Sequence, residues 1–222
     1  MTRLYTYCIP CDDGAAPNPF WGTCTLTICK PAIRRTAQIG DWIVGTGSKH
    51  SPIGDITGKV VYAMRVSKVM TMQEYDTWAA ANIPEKIPDT NNPDVRRKLG
   101  DSIYDFSTKQ PTQRISVHGS GNISTDLGGV NALLSDHFFY FGDVPLQLPP
   151  NLLSIVHHTQ SHRVRLNEPF VAEFIDWLNS LHLKPKHLYG KPALKIFDTT
   201  NPCGGACTRL EAAEADACVS PC

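Results

Sequence analysis

The stretch Ala16–Ser48, APNPFWGTCTLTICKPAIRRTAQIGDWIVGTGS, contains the features around which the rest of the chain is organised. Two thiols, Cys24 and Cys29, stand close to the cations Lys30 and Arg34. Positive charge beside a thiol favours the thiolate, which is the reactive form of cysteine. Cations together with aromatic rings also suit a flat anionic ligand such as a nucleotide. The alternative is a strand, a proline-marked turn and a second strand whose cysteines are buried apolar residues.

Length and charge limit the kind of protein this can be. The 222 residues can bury one sizeable core, and 21 basic residues balance 21 acidic ones, so no global field draws the chain onto DNA or an anionic membrane. The longest apolar runs, such as Phe138–Phe141, are too short to span a bilayer, and the N-terminus lacks the apolar core of a signal peptide. We therefore expect a soluble, cytoplasmic protein without membrane contact, and we leave its oligomeric state open.

The eight cysteines fall into two groups, at residues 8–29 and 203–222. Because the chain is large and has no secretory signal, we expect reduced thiols rather than a disulfide framework. The second group follows C-x3-C-x10-C-x3-C, a spacing that permits zinc without demanding it; a disordered or disulfide-linked tail is an equal alternative. We assign no metal ligand, name no cofactor, and divide the chain into a domain at 1–195 and a Cys-rich tail at 196–222.

Runs of β-branched and aromatic residues predict strands. The clearest are Arg3–Ile9, Asp41–Gly45 and Gly58–Met70, the last two joined as a long-looped hairpin. A capping box at Thr71 and Glu74 predicts the start of a short helix.

One long C-terminal helix is predicted at about 167–182, capped by Asn167. Its buried stripe consists of Phe170, Val171, Phe174, Ile175, Leu178 and Leu181. The predicted fold class is therefore α+β: a curved, mostly antiparallel β-sheet or a small PUA-like barrel, with a few helices and this C-terminal helix.

Several strings, in order along the chain, carry a family resemblance. They are LYTYCIPCDDGAAPNPFWGTCTLTICKPAIRRTAQIGDWIVGTGS, KVVYAMRVSKVMTMQEY, GDSIYDF, the DLGG at Asp126–Gly129, and FFYFG. From Arg3 to about Pro149 the chain resembles the nucleotide modification associated domain, type 2, a family of bacteriophages and bacteria. The resemblance implies nucleobase chemistry or recognition without fixing a reaction. The string IGDWIVGTGS, followed by a strand and the TMQEY helix, is also similar to PUA-like folds that hold a single base.

The candidate catalytic residues are Cys24, Asp101 and His118. The family string places Cys24 in a turn beside Lys30 and Arg34, which would lower the pKa of its thiol; Cys29 could equally be the partner thiol. Asp101 could act as a base, and His118 would form a proton-transfer pair with Cys24 if the two were close. The structural alternatives are a buried thiol, an ordinary turn aspartate and an exposed loop histidine.

Candidate substrate-binding residues combine cations for phosphate with polar and aromatic side chains for a base. They are Asn18, Phe20, Lys30, Arg34, Trp42, Tyr62 and Tyr104. The alternatives are a solvated basic edge for the cations and core packing for the aromatic residues.

Two functions follow from these residues. The first is an enzyme that acts on a nucleotide or a DNA base, with Cys24 adding to a pyrimidine ring while Asp101 or His118 moves the proton. The second is a non-catalytic PUA-like module that binds a modified base in DNA or RNA by stacking and edge hydrogen bonds. Both imply a nucleotide or a nucleic-acid base as partner.

Overall fold

The computed structural model describes residues 2–159 and 161–193; the Cys-rich tail predicted at 196–222 lies outside the described residues. The strands of the described part are β1 (Leu4–Ile9), β2 (Cys24–Leu26), β3 (Trp42–Gly47), β4 (Lys59–Arg65), β5 (Lys68–Thr71), β6 (Tyr104–Asp105), β7 (Thr112–Gln113), β8 (Asn131–Ser135), β9 (His137–Tyr140), β10 (Leu146–Gln147) and β11 (His187–Leu188). The α-helices are α1 (Pro31–Thr36), α2 (Met72–Asn82), α3 (Val95–Lys98), α4 (Ile123–Leu127) and α5 (Val171–Ser180).

The largest sheet has the order β1-β3-β4-β9-β11, with β10 paired to β4. Strands β3, β4 and β9 pair antiparallel, whereas β1 joins β3 and β11 joins β9 in parallel. A second sheet has the order β2-β8-β5, and β6 pairs with β7. The predicted α+β class with mostly antiparallel pairing is confirmed, but within residues 2–159 and 161–193 the sheets form no closed barrel.

The strand predicted at Gly58–Met70 divides into β4 and β5, which belong to different sheets. The reason lies in the backbone hydrogen bonds at the break. The Val66 N–H donates to Asp41 O, directly before β3 of the large sheet, whereas the next N–H, of Ser67, donates to Leu134 O in β8. The chain therefore changes partners within two residues, a change that side-chain alternation alone does not reveal.

The large sheet is covered on both faces. Tyr5, Tyr7 and Ile43 face a core shared with Leu26 and Leu133 of the second sheet. The opposite face, which includes Trp42, Val44 and Phe139, packs against α5 and the 3-10 turns at Pro150–Ile155 and Arg165–Phe170. This alternation of neighbouring residues between two apolar layers is what a sheet buried on both faces requires.

The two predicted helix starts have different outcomes. Thr71 and Glu74 form the capping box of α2, as predicted. The C-terminal helix and its stripe are confirmed, with Phe174 and Leu178 fully buried, but Asn167 is not its cap. The Asn167 amide donates instead to Leu4 O and Thr6 Oγ1 of β1, and α5 begins only at Val171 after a 3-10 turn. In the described residues, no helix combines the length and apolar character needed to cross a membrane.

A buried arginine links the backbone before α1 to the backbone of α4 and the start of β8. Arg34 has no exposed surface, and its guanidinium donates to the carbonyl oxygens of Thr27, Cys29 (2.8 Å), Asp126 and Asn131 (3.0 Å). Gly129 of the DLGG string has to be glycine here, because an added Cβ would collide with this guanidinium. Burial lowers the pKa of Arg34 to about 10, so the group remains a cation at neutral pH. Arg34 is therefore not placed for the predicted phosphate contact, because its buried guanidinium donates to backbone carbonyl groups and to Met72 Sδ.

We expect Arg34→Ala to lower the free energy of unfolding by more than about 3 kcal/mol, because it leaves several buried carbonyl groups without donors. Arg35→Ala is the matched control, since this neighbouring side chain is exposed and donates to Gly128 O at 2.6 Å. Urea unfolding of both variants measures the difference. Equal, small losses would contradict a clamping role for Arg34.

A buried carboxyl fixes the loop after β1 to the large sheet. Asp12 is 5% exposed; its Oδ2 accepts the Tyr140 hydroxyl at 2.6 Å and its Oδ1 accepts Gly14 N at 3.2 Å. Burial raises the pKa of Asp12 to about 7, and the Tyr140 hydrogen bond opposes that rise only in part. The neighbouring residues of this loop, Cys11 and Asp13, line the main cavity described below.

The Asp12 carboxyl ionises near its ordinary pKa of 3.8 when unfolded but only near 7 when folded. The folded state therefore holds more protons between these values, and stability falls as the pH rises from about 4 to about 7. We expect Asp12→Asn, which does not titrate, to gain stability over the wild type across this range, by on the order of 4 kcal/mol at most. Urea unfolding from pH 5 to 8 tests this, with Asp136→Asn at an exposed turn as control. A difference between wild type and Asp12→Asn that does not change with pH would overturn it.

Candidate active site

The main cavity has a volume of about 610 Å³ and opens where the end of β1, the loop after it and the start of α1 meet. Its size lies within the range typical of small-molecule sites. The residues of its wall that carry chemical groups of interest are Cys8, Cys11, Asp13, Cys29, Lys30, His118, Asp126 and His162. The cavity therefore brings residues from the front and the middle of the chain together.

A thiol, an imidazole and a carboxylate form a compact group in the cavity wall. Cys29 Sγ is 3.4 Å from His118 Nε2, and His118 Nδ1 is 2.6 Å from Asp126 Oδ2. His118 and Asp126 are buried, at 5% and 0% exposure, whereas Cys29 is partly exposed. Of the three side chains, the thiol is therefore the most open to a ligand in the cavity.

Local backbone geometry places the thiol. Cys29 and Lys30 both have left-handed backbone conformations, with φ of 56° and 40°, and Pro31 then begins α1. Non-glycine residues seldom adopt this region, and such conformations are concentrated at functional sites. The turn is held because Cys29 N donates to Asp126 Oδ1 at 2.8 Å and Cys29 O accepts from Arg34.

The carboxylate is positioned by three donors from three parts of the chain. Besides His118 and the Cys29 N–H, the Tyr104 hydroxyl of β6 donates to Asp126 Oδ2 at 3.0 Å. When His118 Nδ1–H donates to the carboxylate, Nε2 faces the thiol as an acceptor. In that tautomer the imidazole can take the proton of Cys29, and the carboxylate stabilises the resulting imidazolium.

The same three residues could also hold a metal ion. One ligand atom each from Cys29, His118 and Asp126 lies within 4.8 Å of the others. Thiolate, imidazole and carboxylate are the ligand types of zinc. Because Asp126 Oδ2 already accepts from His118 Nδ1, a metal would meet Cys29 Sγ and His118 Nε2 first, with Asp126 orienting the imidazole.

Cys24 does not have the environment predicted for it. It lies in β2 with 0% exposure, in the core between the two larger sheets. Burial raises the pKa of its thiol to about 12, and the cation that opposes this shift is Lys86 rather than Lys30 or Arg34. The expectation of a lowered thiol pKa is therefore wrong, because desolvation of the thiolate outweighs nearby positive charge.

Asp101 serves a buried network rather than the cavity. Its carboxylate accepts from Tyr75 OH at 2.6 Å, Thr25 Oγ1 at 2.5 Å and Thr27 Oγ1 at 3.1 Å, and the residue has no exposed surface. It is not among the described residues of the cavity wall. Asp101 therefore does not lie where the predicted proton transfer would need it. Its carboxylate oxygens accept hydrogen bonds from three buried hydroxyl groups instead.

The remaining candidates divide between the cavity and the core. His118 and Lys30 line the cavity, with Lys30 Nζ 4.9 Å from the centroid of the Tyr7 ring. Tyr104 stands behind Asp126. The others are buried and are not among the described wall residues: Asn18, Phe20, Arg34, Trp42 and Tyr62.

Three of these buried residues, besides Arg34, have contacts that explain their burial. Asn18 accepts from Lys86 Nζ at 2.6 Å and donates to Leu99 O at 2.8 Å. The Tyr62 hydroxyl shares a hydrogen bond of 2.9 Å with that of Tyr7. Trp42 meets Phe174 edge to face, beneath α5. The predicted substrate contacts of these residues do not fit the structure, because a ligand in the cavity cannot reach side chains buried in the core.

The sequence placed the buried Cys24 ahead of Cys29 among the candidates, and Asp126 received no role. Cys29 and Asp126 stand in strings that carry the family resemblance, CKP and DLGG, and these strings were the available signal. Spacing could not reveal that the two strings meet, since Cys29 and Asp126 are 97 residues apart in the chain.

Comparison with protein families assigns nearly the whole chain. The family model described as nucleotide modification associated domain 2 matches residues 1–199. Comparison with curated proteins and with solved structures gives no match. The match extends beyond the Arg3–Pro149 segment in which the resemblance was recognised, and it includes Cys29, His118 and Asp126. The chain belongs to the nucleotide modification associated domain 2 family.

Proposed function

We propose that this protein is an enzyme of nucleotide or nucleobase modification that uses Cys29 as its nucleophile. The observation that carries the proposal is the pair of contacts from Cys29 Sγ to His118 and from His118 to Asp126, in the wall of a cavity of nucleotide size. A nucleophilic thiol needs a base within reach and a group that orients the base, and this arrangement supplies both. Cys29 thus takes the role first given to Cys24.

The cavity also offers positive charge for an anionic group of the substrate. Lys30 and His162 both line it, and they lie close enough that Lys30, after burial and His157, helps to lower the pKa of His162. The lowered pKa leaves His162 uncharged at neutral pH, so Lys30 carries the positive charge here and His162 offers a polar imidazole beside it. We propose that Lys30 contacts a phosphate of the nucleotide, while the reacting group lies at Cys29.

The second candidate is a metal site formed by the same side chains, favoured by the 4.8 Å grouping of Cys29, His118 and Asp126. The two candidates differ in the state of the thiol. A nucleophile must be open to small electrophiles, whereas a metal-bound thiolate is shielded and its metal co-purifies in stoichiometric amount. A non-catalytic base-binding module would need neither.

We expect iodoacetamide to modify Cys29 at least about 100-fold faster than Cys24, because Cys24 is fully buried and its thiol pKa is raised to about 12. Peptide mass spectrometry after short exposures at neutral pH resolves each cysteine. His118→Asn should slow the modification of Cys29 without altering that of Cys24. If Cys29 reacts equally fast with and without His118, the imidazole does not activate it, and the non-catalytic module is favoured. Stoichiometric zinc that blocks labelling until it is chelated would favour the metal site.

Nucleoside monophosphates should protect Cys29 from iodoacetamide, because they occupy the cavity onto which the thiol opens. Lys30→Gln should weaken the protection about tenfold, which corresponds to the loss of one charge-assisted contact. Lys49→Gln, at an exposed site, is the matched control. The concentration of nucleotide that halves the labelling rate is the measurement. Absence of protection by all four common monophosphates, or an equal effect of both lysine variants, would contradict a phosphate contact at Lys30.

A further inference from the structure

Resting on the proposed function, we infer that the reaction at Cys29 is acyl transfer. The thiol takes an acyl group from an amide or ester borne by a nucleotide and passes it, through a thioester, to water or to an amine. The inference concerns the class of reaction, which membership of the family leaves open. It rests on the position of the imidazole nitrogen that would accept the thiol proton.

The imidazole stands against the sulfur itself. His118 Nε2 is 3.4 Å from Cys29 Sγ, and Nδ1 is fixed on Asp126 Oδ2 at 2.6 Å. A proton that leaves Sγ is therefore held at Nε2, next to the carbon that the sulfur attacks. A group that departs from that same carbon lies within reach of this proton.

The steps balance in atoms and electrons. His118 Nε2 takes the proton of Cys29, and the sulfur lone pair forms a bond to the carbonyl carbon, whose π electrons move to oxygen. As the carbonyl reforms, the bond from carbon to the leaving nitrogen or oxygen breaks, and that atom takes the proton from Nε2. Water or an amine then loses a proton to Nε2, attacks the thioester and releases the Cys29 sulfur, which recovers the proton. Because no net oxidation or reduction occurs, no electron carrier is required.

Addition of the thiol to a pyrimidine ring, the reaction first considered, makes poorer use of this geometry. In such an addition nothing leaves the attacked carbon, and the proton is needed at the adjacent ring carbon instead. A histidine fixed by a buried carboxylate and directed at the sulfur is the arrangement of addition–elimination at a carbonyl. The left-handed turn at Cys29 and Lys30, just before α1, likewise presents the thiol on a sharp bend, as nucleophiles of acyl-transfer enzymes are presented.

An acyl-transfer site also needs hydrogen-bond donors for the oxyanion of its tetrahedral intermediate. Cys29 N donates to Asp126 Oδ1 and is not available to stabilise the oxyanion of a tetrahedral intermediate. Lys30 and His162 are a positively charged and a polar side chain of the same cavity wall that can supply this stabilisation. This places the developing negative charge on the cationic side of the cavity.

The test uses the full chain and p-nitrophenyl acetate as an acyl donor. We expect a burst of about one p-nitrophenolate per protein, followed by slower steady release as the thioester is hydrolysed. Intact-mass analysis during the burst should find one acetyl group, on Cys29, that hydroxylamine removes. Cys29→Ser should give no burst, Cys24→Ser should match the wild type, and His118→Asn should slow acylation about 100-fold or more. Thermal melting of each variant checks that it is folded.

The outcomes separate this inference from the proposed function. If iodoacetamide selects Cys29 and nucleotides protect it, but no acetyl thioester forms faster than in His118→Asn, the reaction is not acyl transfer and the nucleophile remains. An acetyl group that forms on Cys29 but is passed neither to water nor to an added amine also overturns the inference. If Cys29 is not selected by iodoacetamide either, the proposed function fails with it. Should His118→Asn not fold, the wild-type burst, its hydroxylamine sensitivity and Cys29→Ser decide the matter.

Discussion

The Asp126 carboxylate is the interaction on which the site depends. It is fully buried, and it accepts from the Cys29 N–H, the His118 imidazole and the Tyr104 hydroxyl. A buried carboxylate is stable only when its lone pairs are satisfied, so these three donors are drawn to one point. The backbone before α1, the loop that carries His118 and strand β6 thereby acquire a fixed relation. The alignment of thiol and imidazole is a consequence of satisfying this one group.

Arg34 supports that relation from the other side. Its guanidinium donates to the carbonyl oxygens of Cys29 and Asp126, and so joins the two backbone segments whose side chains meet at the site. Lys86 has a comparable role nearby, where its buried ammonium donates to Asn18, Thr23 and Thr25. Burial lowers the pKa of Lys86 to about 8, which shows how strongly its surroundings disfavour the charge. Both cations hold irregular backbone in place. Rigid support of this kind keeps the groups of a functional site aligned.

The two thiols of the opening stretch show how environment separates residues of one type. Cys24 and Cys29 are five positions apart. Cys24 belongs to a strand paired with β8 and is sealed between two sheets, where a thiolate cannot be solvated. Cys29 lies on a turn where the backbone leaves the sheet, beside a histidine and at the cavity surface. The exposure of each thiol therefore follows its position relative to the core, not the number of cations nearby in sequence.

Local sequence signals were enough to predict much of the secondary structure. Side-chain alternation and β-propensity located β1, β3 and β4, and the capping box located the start of α2, because these signals act over a few residues. The apolar stripe located α5, although its start shifted when Asn167 found partners in β1. The same reading placed thiols, cations and His118 among the functional candidates without deciding how they combine.

Only the tertiary structure decided which of those candidates share a site. Cys29, His118 and Asp126 meet through packing between segments up to 97 residues apart, and no local pattern encodes such a distance. Packing also turned Arg34 inward, buried Cys24 and committed Asp101 to hydroxyl donors. The physical reason is that desolvation and hydrogen-bond satisfaction depend on the full surroundings of a group. The sequence by itself determined the chemical groups, and the folded chain decided which of them reach a ligand.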